Sequence, residues 1–205
     1  SIGNPDLQPE SSATTELGLD WQSSDNRVSV DLTVFDSTLE DEINGFVYNS
    51  ELGGFSSANK AGESQRRGAE LGWSWQLSEA VALDGSYSYI DSTEEAAEGE
   101  RDELRRPNHI ASLSLDWQIS EILQSNIIVQ HSGSQIDQHF YGWESRYVEL
   151  DAFTLVSINV NYRATDQLVV YAKATNAATV NYEEVFGFST PSRQIAVGVR
   201  YQWAD

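Results

Sequence analysis

Apolar and polar residues alternate in segment after segment of this chain. The clearest run is residues 193–203, RQIAVGVRYQW. Ile195, Val197, Val199, Tyr201 and Trp203 share one parity; Gln194, Ala196, Gly198, Arg200 and Gln202 share the other. Successive side chains of a strand point to opposite faces, so this segment is a strand with one apolar and one polar face. Eight more segments repeat the pattern: TELGLDWQ (15–22), RVSVDLTVF (27–35), GAELGWSWQL (68–77), VALDGSYSY (81–89), ASLSLDWQ (111–118), LQSNIIVQ (123–130), LVSINVNY (155–162) and LVVYAKAT (168–175). Together they predict an all-β, antiparallel, up-and-down protein of about nine strands. Helix-like signals are confined to the acidic stretch 93–106 and to 37–43. Both lie between strands and read as loop decoration.

The connections alternate as regularly as the residues. Short ones fall near 23–25, 78–80, 120–122 and 164–167; long ones near 38–60, 92–108, 138–152 and 177–192. One end of the sheet is therefore trimmed and the other elaborated, the pattern of transmembrane β-barrels. Trp21, Trp75, Trp117, Tyr162 and Trp203 each sit on the apolar parity within about three residues of a short turn or the chain end, where an interfacial girdle belongs. The competing reading is a set of aromatic plugs closing a sandwich core. The polar parity, rich in Asp, Glu, Gln, Asn and Ser, fits either a water-filled lumen or a solvated sheet face.

Charge and composition exclude several classes. The net charge is −20, from 32 acidic residues against 12 Lys and Arg. A nucleic-acid partner is not expected, because a phosphate footprint needs clustered cations. Without cysteine there is no disulfide, thiolate metal site or cysteine nucleophile. No run approaches the roughly 18 apolar residues of a membrane-spanning helix, which leaves strands as the only spanning element. The opening Ser-Ile-Gly-Asn-Pro is neither signal peptide nor translation start. We read the chain as a piece of something longer or a processed product.

Four motifs carry a family resemblance. GNPDLQPE at 3–10 resembles the signature that opens a descending barrel strand in TonB-dependent outer-membrane receptors. NKAGESQRRGAELGWSW at 59–75 is similar to a family strand through Gly62, Gly68 and Glu70. LRRPNHIASLSLDW at 104–117 resembles another. Residues 173–203 resemble the closing segment, with Asn176, Tyr182, Gly187, Pro191 and Arg193 matching. The set runs in the family's order over nearly the whole chain, and the vitamin B12 and siderophore receptors are the nearest kind. Two departures are Ala204 and Asp205 after the last aromatic, and the run Ala-Thr-Val at 178–180. The resemblance implies that residues 1–205 are the C-terminal portion of a 22-stranded transmembrane barrel, with the plug domain, TonB box and earlier strands absent. It implies a cell outer-membrane transporter of a Gram-negative bacterium for a scarce nutrient such as a ferric siderophore or cobalamin. Its partners would be outer-membrane lipid, the small nutrient ligand, and TonB through the missing N-terminal region.

No catalytic constellation stands out, and we expect no enzyme, cofactor or metal. His109, His131 and His139 lie in separate segments without ligand spacing. The acidic run 91–103 lacks the spacing of a calcium loop and reads as a solvated, mobile loop paired with Arg101, Arg105 and Arg106. The candidate ligand site is the long connection DQHFYGWESRYVE at 137–149. It concentrates His139, Phe140, Tyr141, Trp143 and Tyr147 at the elaborated end, where exposed aromatics with a few polar groups suit a ligand mouth. A different class stays open at this stage: a self-contained small β-barrel or β-sandwich serving as a binding or structural module. The discriminator is whether Leu17, Leu71, Leu115 and Val197 face outward or converge on a shared interior.

Overall fold

The computed structural model describes residues 3–51, 53–96, 99–141 and 144–203. Nine strands follow one another as an antiparallel meander in a single sheet. They are β1 (Ser11–Gln22), β2 (Val28–Glu40), β5 (Glu63–Ser78), β6 (Val81–Ala96), β8 (His109–Ser120), β9 (Leu123–Ser132), β12 (Phe153–Arg163), β13 (Leu168–Thr175) and β14 (Gln194–Tyr201). Every neighbour in space is a neighbour along this series, with no crossover. A short strand, β7 (Gly99–Asp102), pairs back onto the upper part of β6. Two hairpins stand apart from the sheet: β3 (Ile43–Asn49) with β4 (Gly54–Asn59), and β10 (Gln135–Tyr141) with β11 (Glu144–Leu150).

The long connections are thus more ordered than the sequence suggests. Residues 37–40 and 93–96 extend β2 and β6 rather than forming helix, and 99–102 is β7. Cross-strand pairing overrides local helix propensity here, because Ser37 to Glu40 align with Arg66 to Glu63 and Thr93 with Asp102. β5 and β6, at 16 residues each, outrun the roughly 9–11 residues that cross a bilayer.

The short turns are stitched tightly. In the first, Ser23 Oγ donates to Asp25 Oδ1 at 2.6 Å, and Asn26 takes a positive φ of 56°. The Ser23 hydroxyl and the Arg27 amide hold the Asp25 carboxyl below its usual range. Arg27 then bridges to the next turn, donating to the carbonyls of Gln76 and Leu77 at 3.1 and 2.8 Å. Gln76 and Gln118 each donate to a carbonyl two residues on, at 2.6 Å, beside matching register shifts that end β5 and β8.

The two faces differ as the alternation predicts. Across the register, Val30, Trp73, Gly85, Leu113, Val129 and Val156 align on the apolar face. Gly85 is required there, since a Cβ would collide with the Trp73 ring lying over it. The polar face carries a ladder in which Asn126 donates to Asp116 at 3.0 Å and to Ser114 at 2.9 Å, and Asn159 donates to Asn126 at 3.3 Å.

Among the described residues, no second layer covers the apolar face. Leu17 is 73% exposed and Val197 72%, and among the described residues Leu150 is the one buried hydrophobic side chain. Leu71 and Leu115 are half-buried by their neighbours in the same sheet. The four residues therefore do not converge on a shared interior, which removes the self-contained sandwich or small barrel as an account of this structure.

Candidate functional site

The elaborated end of the sheet is held together by buried charge. Glu94 and Glu103 are nearly inaccessible to solvent. Glu94 accepts from Lys60 and from Arg101, the latter at 2.7 Å; Glu103 pairs with Arg66 at 3.0 Å and with Arg106. Arg66 also reaches Glu42 at 2.9 Å. Burial pushes the Glu94 carboxyl up, but the hydrogen bonds from Lys60 and Arg101 outweigh it and the net shift is down. Among its described residues the acidic stretch 91–103 is therefore strand at 91–96 and 99–102, not loop, and four cations from β5, β7 and the flanking connections make burial of Glu94 and Glu103 tolerable. Arg101 and Arg106 pair with it as the sequence predicts.

Arg105 does not. Its Nε donates to Asp137 Oδ1 at 2.7 Å, and Asp137 is fully buried. The same carboxylate accepts from the amide of Gln138 at 2.7 Å and, through Oδ2, from the amide of Phe186 at 2.7 Å. Burial raises this carboxyl too, yet the Phe186 amide, Arg105 and the Gln138 amide bring it below the usual range. One side chain thus ties three connections together: the segment after β7, the β10–β11 hairpin, and the strap 176–193 that joins β13 to β14.

The strap has its own internal staple. Asn176, at a positive φ of 47°, accepts from the Val180 amide at 2.9 Å and donates to the Val180 and Pro191 carbonyls at 2.8 and 3.4 Å. Both ends of the strap are closed by this residue. Gly187 has a φ of 77°, which an L side chain rarely adopts. Tyr182 packs against Phe153 with ring centroids 4.5 Å apart, and Phe186 stacks on His139 at 4.6 Å. Between the strap and the β11–β12 corner lies a cavity of about 470 Å³ lined by Glu149, Leu150, Phe153, Tyr182, Glu183 and Phe186, among others. A second, of about 420 Å³, opens beside it over Ile110 and Leu155, with Arg105 and Glu184 at its rim.

Of the expected ligand residues, His139 joins this site through Phe186, and Tyr147 stands beside Arg101, whose guanidinium lies 5.2 Å from the ring centre. Trp143 and the side chains of Phe140 and Tyr141 lie outside the described residues. Among the described residues, the cavity's aromatics do not come from the hairpin. Phe153, Tyr182 and Phe186 come from β12 and the strap, and Tyr182 alone was marked in the sequence, by its place in the closing motif. His109 sits on the apolar face between Tyr87, which it meets at 2.7 Å, and Tyr89. Among the described residues, no group of three or more His, Asp or Glu is placed to hold a metal ion.

At the opposite end, Trp21, Trp75, Trp117, Tyr162 and Trp203 are all exposed. Along β5 the apolar stripe runs from Trp75 through Trp73, Leu71 and Ala69 to Arg67, which pairs with Asp91 at 2.8 Å. Eight residue steps cover roughly 26 Å of strand, or about 20 Å of height at a tilt of about 40°, most of the roughly 25 Å of a barrel's apolar band.

An antiparallel meander with an uncovered apolar face, trimmed turns at one end and folded connections at the other is the architecture of an outer-membrane β-barrel wall. The chain belongs to the TonB dependent receptor-like β-barrel family, whose model matches residues 1–177. That places it in the outer membrane of a Gram-negative bacterium, in a family of transporters rather than enzymes. It is 27% identical over 210 residues to the iron-regulated outer membrane virulence protein of Vibrio cholerae, covering 96% of this chain and 32% of the relative. It is similar in fold to the pyoverdine outer membrane receptor FpvA of Pseudomonas aeruginosa, with a TM-score of 0.80 at 16% identity, covering 96% of this chain and 30% of that one. For the ferric-catecholate import receptor Fiu of E. coli K12 the TM-score is 0.76 at 18% identity, over 97% and 28%. The chain spans about a third of the length of the relatives it matches.

Proposed function

We propose that residues 1–205 form the C-terminal part of the barrel of a TonB-dependent transporter that takes up a scarce nutrient, a ferric siderophore in preference to cobalamin. The observation that carries this is the uncovered apolar face, continuous over nine strands and without a core on either side. In water that face is a liability; against lipid it is the burial that stabilises the wall. On this reading the apolar face meets outer-membrane lipid, and the polar face, with Glu16, Asp20, Asp31, Glu70 and Asp116, lines the lumen. Trp21, Trp75, Trp117, Tyr162 and Trp203 form the girdle at the periplasmic boundary, where amphipathic rings favour the headgroup level. Both open edges, β1 and β14, are satisfied by the remaining strands of a 22-stranded barrel, because unpaired backbone groups are costly in lipid.

The strap, the β10–β11 hairpin and the segment after β7 then form part of the extracellular mouth. Uptake needs no bond chemistry: the mouth captures the ligand, and passage draws energy through TonB acting on the N-terminal region. The iron-related names of the relatives support an iron chelate as cargo. The test is uptake of radiolabelled ferric chelates by cells expressing the full-length receptor under iron limitation, with and without TonB. TonB-dependent uptake of a ferric chelate is expected. Uptake of labelled cobalamin and of no ferric chelate would refute the iron assignment, and uptake of neither would refute the transporter.

A further inference from the structure

The cavity beneath the strap has a charge character that the rest of the mouth does not cancel. Its polar lining includes Glu149, Asp151 and Glu183, and no Lys or Arg lines it among the described residues. Its other walls are Leu150, Phe153 and Phe186, with Tyr182 packed on Phe153. Glu183 accepts one long bond from the Gly187 amide at 3.3 Å, and no ion pair among the described residues reaches any of the three carboxylates.

The cations of β5, β7 and their flanking connections are already committed. All six between residues 60 and 106, which are Lys60, Arg66, Arg67, Arg101, Arg105 and Arg106, are paired with carboxylates. Arg105, at the rim of the adjoining cavity, is held by Asp137. An anionic group entering the cavity would meet like charge, with no Lys or Arg among the described lining residues to receive it. A compact cation would meet both carboxylates and the aromatic side chains Phe153, Tyr182 and Phe186, a combination that attracts ammonium and guanidinium groups through both charge and ring quadrupole.

We propose that this cavity receives a cationic group of the transported ligand, a protonated amine or guanidinium carried on the chelator's backbone, and so selects against anionic chelates. The inference rests on the transporter reading above. Charge exclusion of this kind is a repulsive element of specificity, independent of how well the ligand body packs.

The experiment uses the full-length receptor and three probes: a ferric trihydroxamate with one free terminal ammonium, its N-acetylated neutral form, and an anionic ferric tricatecholate. Equilibrium binding to purified receptor and TonB-dependent uptake are both measured. The ammonium form is expected to bind about tenfold tighter than the acetylated form at low salt, with the advantage shrinking as salt rises. The double variant Glu149→Gln, Glu183→Gln should bring the two affinities together, with the barrel shown intact by its heat-dependent shift on SDS gels. Equal affinities in the unchanged receptor, a ratio unmoved by the double variant, or preferred binding of the tricatecholate would each overturn the inference while leaving the transporter standing. If none of the three probes is bound or taken up, the inference fails, and failure of every other ferric chelate to enter would bring down the transporter reading with it.

Discussion

Asp137→Ala should release the strap without unfolding the sheet. In the structure the Asp137 carboxylate is fully buried and accepts three hydrogen bonds, from the Phe186 amide, the Gln138 amide and Arg105, all at 2.7 Å. The Arg105 side chain is half exposed, so its share is screened and contributes on the order of 0–1 kcal/mol. The two backbone donors are bound by a charged acceptor, and such bonds contribute about 1.5–3 kcal/mol each. Removing the acceptor orphans both, so we expect roughly 3–5 kcal/mol of local destabilisation, in line with breaking a buried charged contact. None of these groups belongs to the nine-stranded ladder. The loss should therefore appear as faster amide exchange over 177–192 and at Gln138 in the full-length receptor, by hydrogen exchange and mass spectrometry, while protection in β5, β6 and β8 is unchanged. The linkage sign follows from the lowered native pKa of Asp137. Its stabilisation is fully present above its unfolded value of about 3.9 and is lost as pH falls through the lower folded value. Strap protection should therefore be flat from neutral pH down to mild acid, then fall in strong acid, and Asp137→Ala should abolish that step. Unchanged exchange in the strap, or a collapse of the whole sheet, would refute the staple.

Two further perturbations probe the faces of the sheet. Leu113, between Gly85 and Val129 on the apolar face, lies farther from the Trp117 girdle than Leu115. Leu113→Lys should cost about 2–4 kcal/mol in urea-induced unfolding from lipid vesicles and Leu115→Lys less, whereas Asp116→Asn, on the polar face, should leave insertion intact. Equal penalties on the two faces would sink the parity assignment. Gly85→Val should force Trp73 from its place over the strand and cost on the order of 1–3 kcal/mol, seen as a changed tryptophan emission and a lower unfolding midpoint. A silent substitution there would mean the ring is not held.

The strands were readable from local sequence for a simple reason. A strand's two faces are set by parity, so TELGLDWQ or RQIAVGVRYQW declares its own geometry without reference to any partner. The short turns, and the placing of five aromatics beside them or at the chain end, follow from the same counting. The family motifs went further, marking Asn176, Tyr182 and Gly187, which together shape the strap.

The site was less readable, because its contacts join residues far apart in the chain. Arg105 and Asp137 are 32 positions apart, and Asp137 and Phe186 are 49. A charged run such as 91–103 looks solvated when counted along the chain. Its Glu94 and Glu103 are buried only because Lys60, Arg66, Arg101 and Arg106 converge on them. The same holds for the cavity, whose Glu149 and Glu183 belong to different connections. Parity is a property of consecutive residues and survives in the one-dimensional string. The compensation of a buried charge is a property of neighbours in space, and only the folded connections decide which cation each carboxylate meets and which carboxylates are left with none.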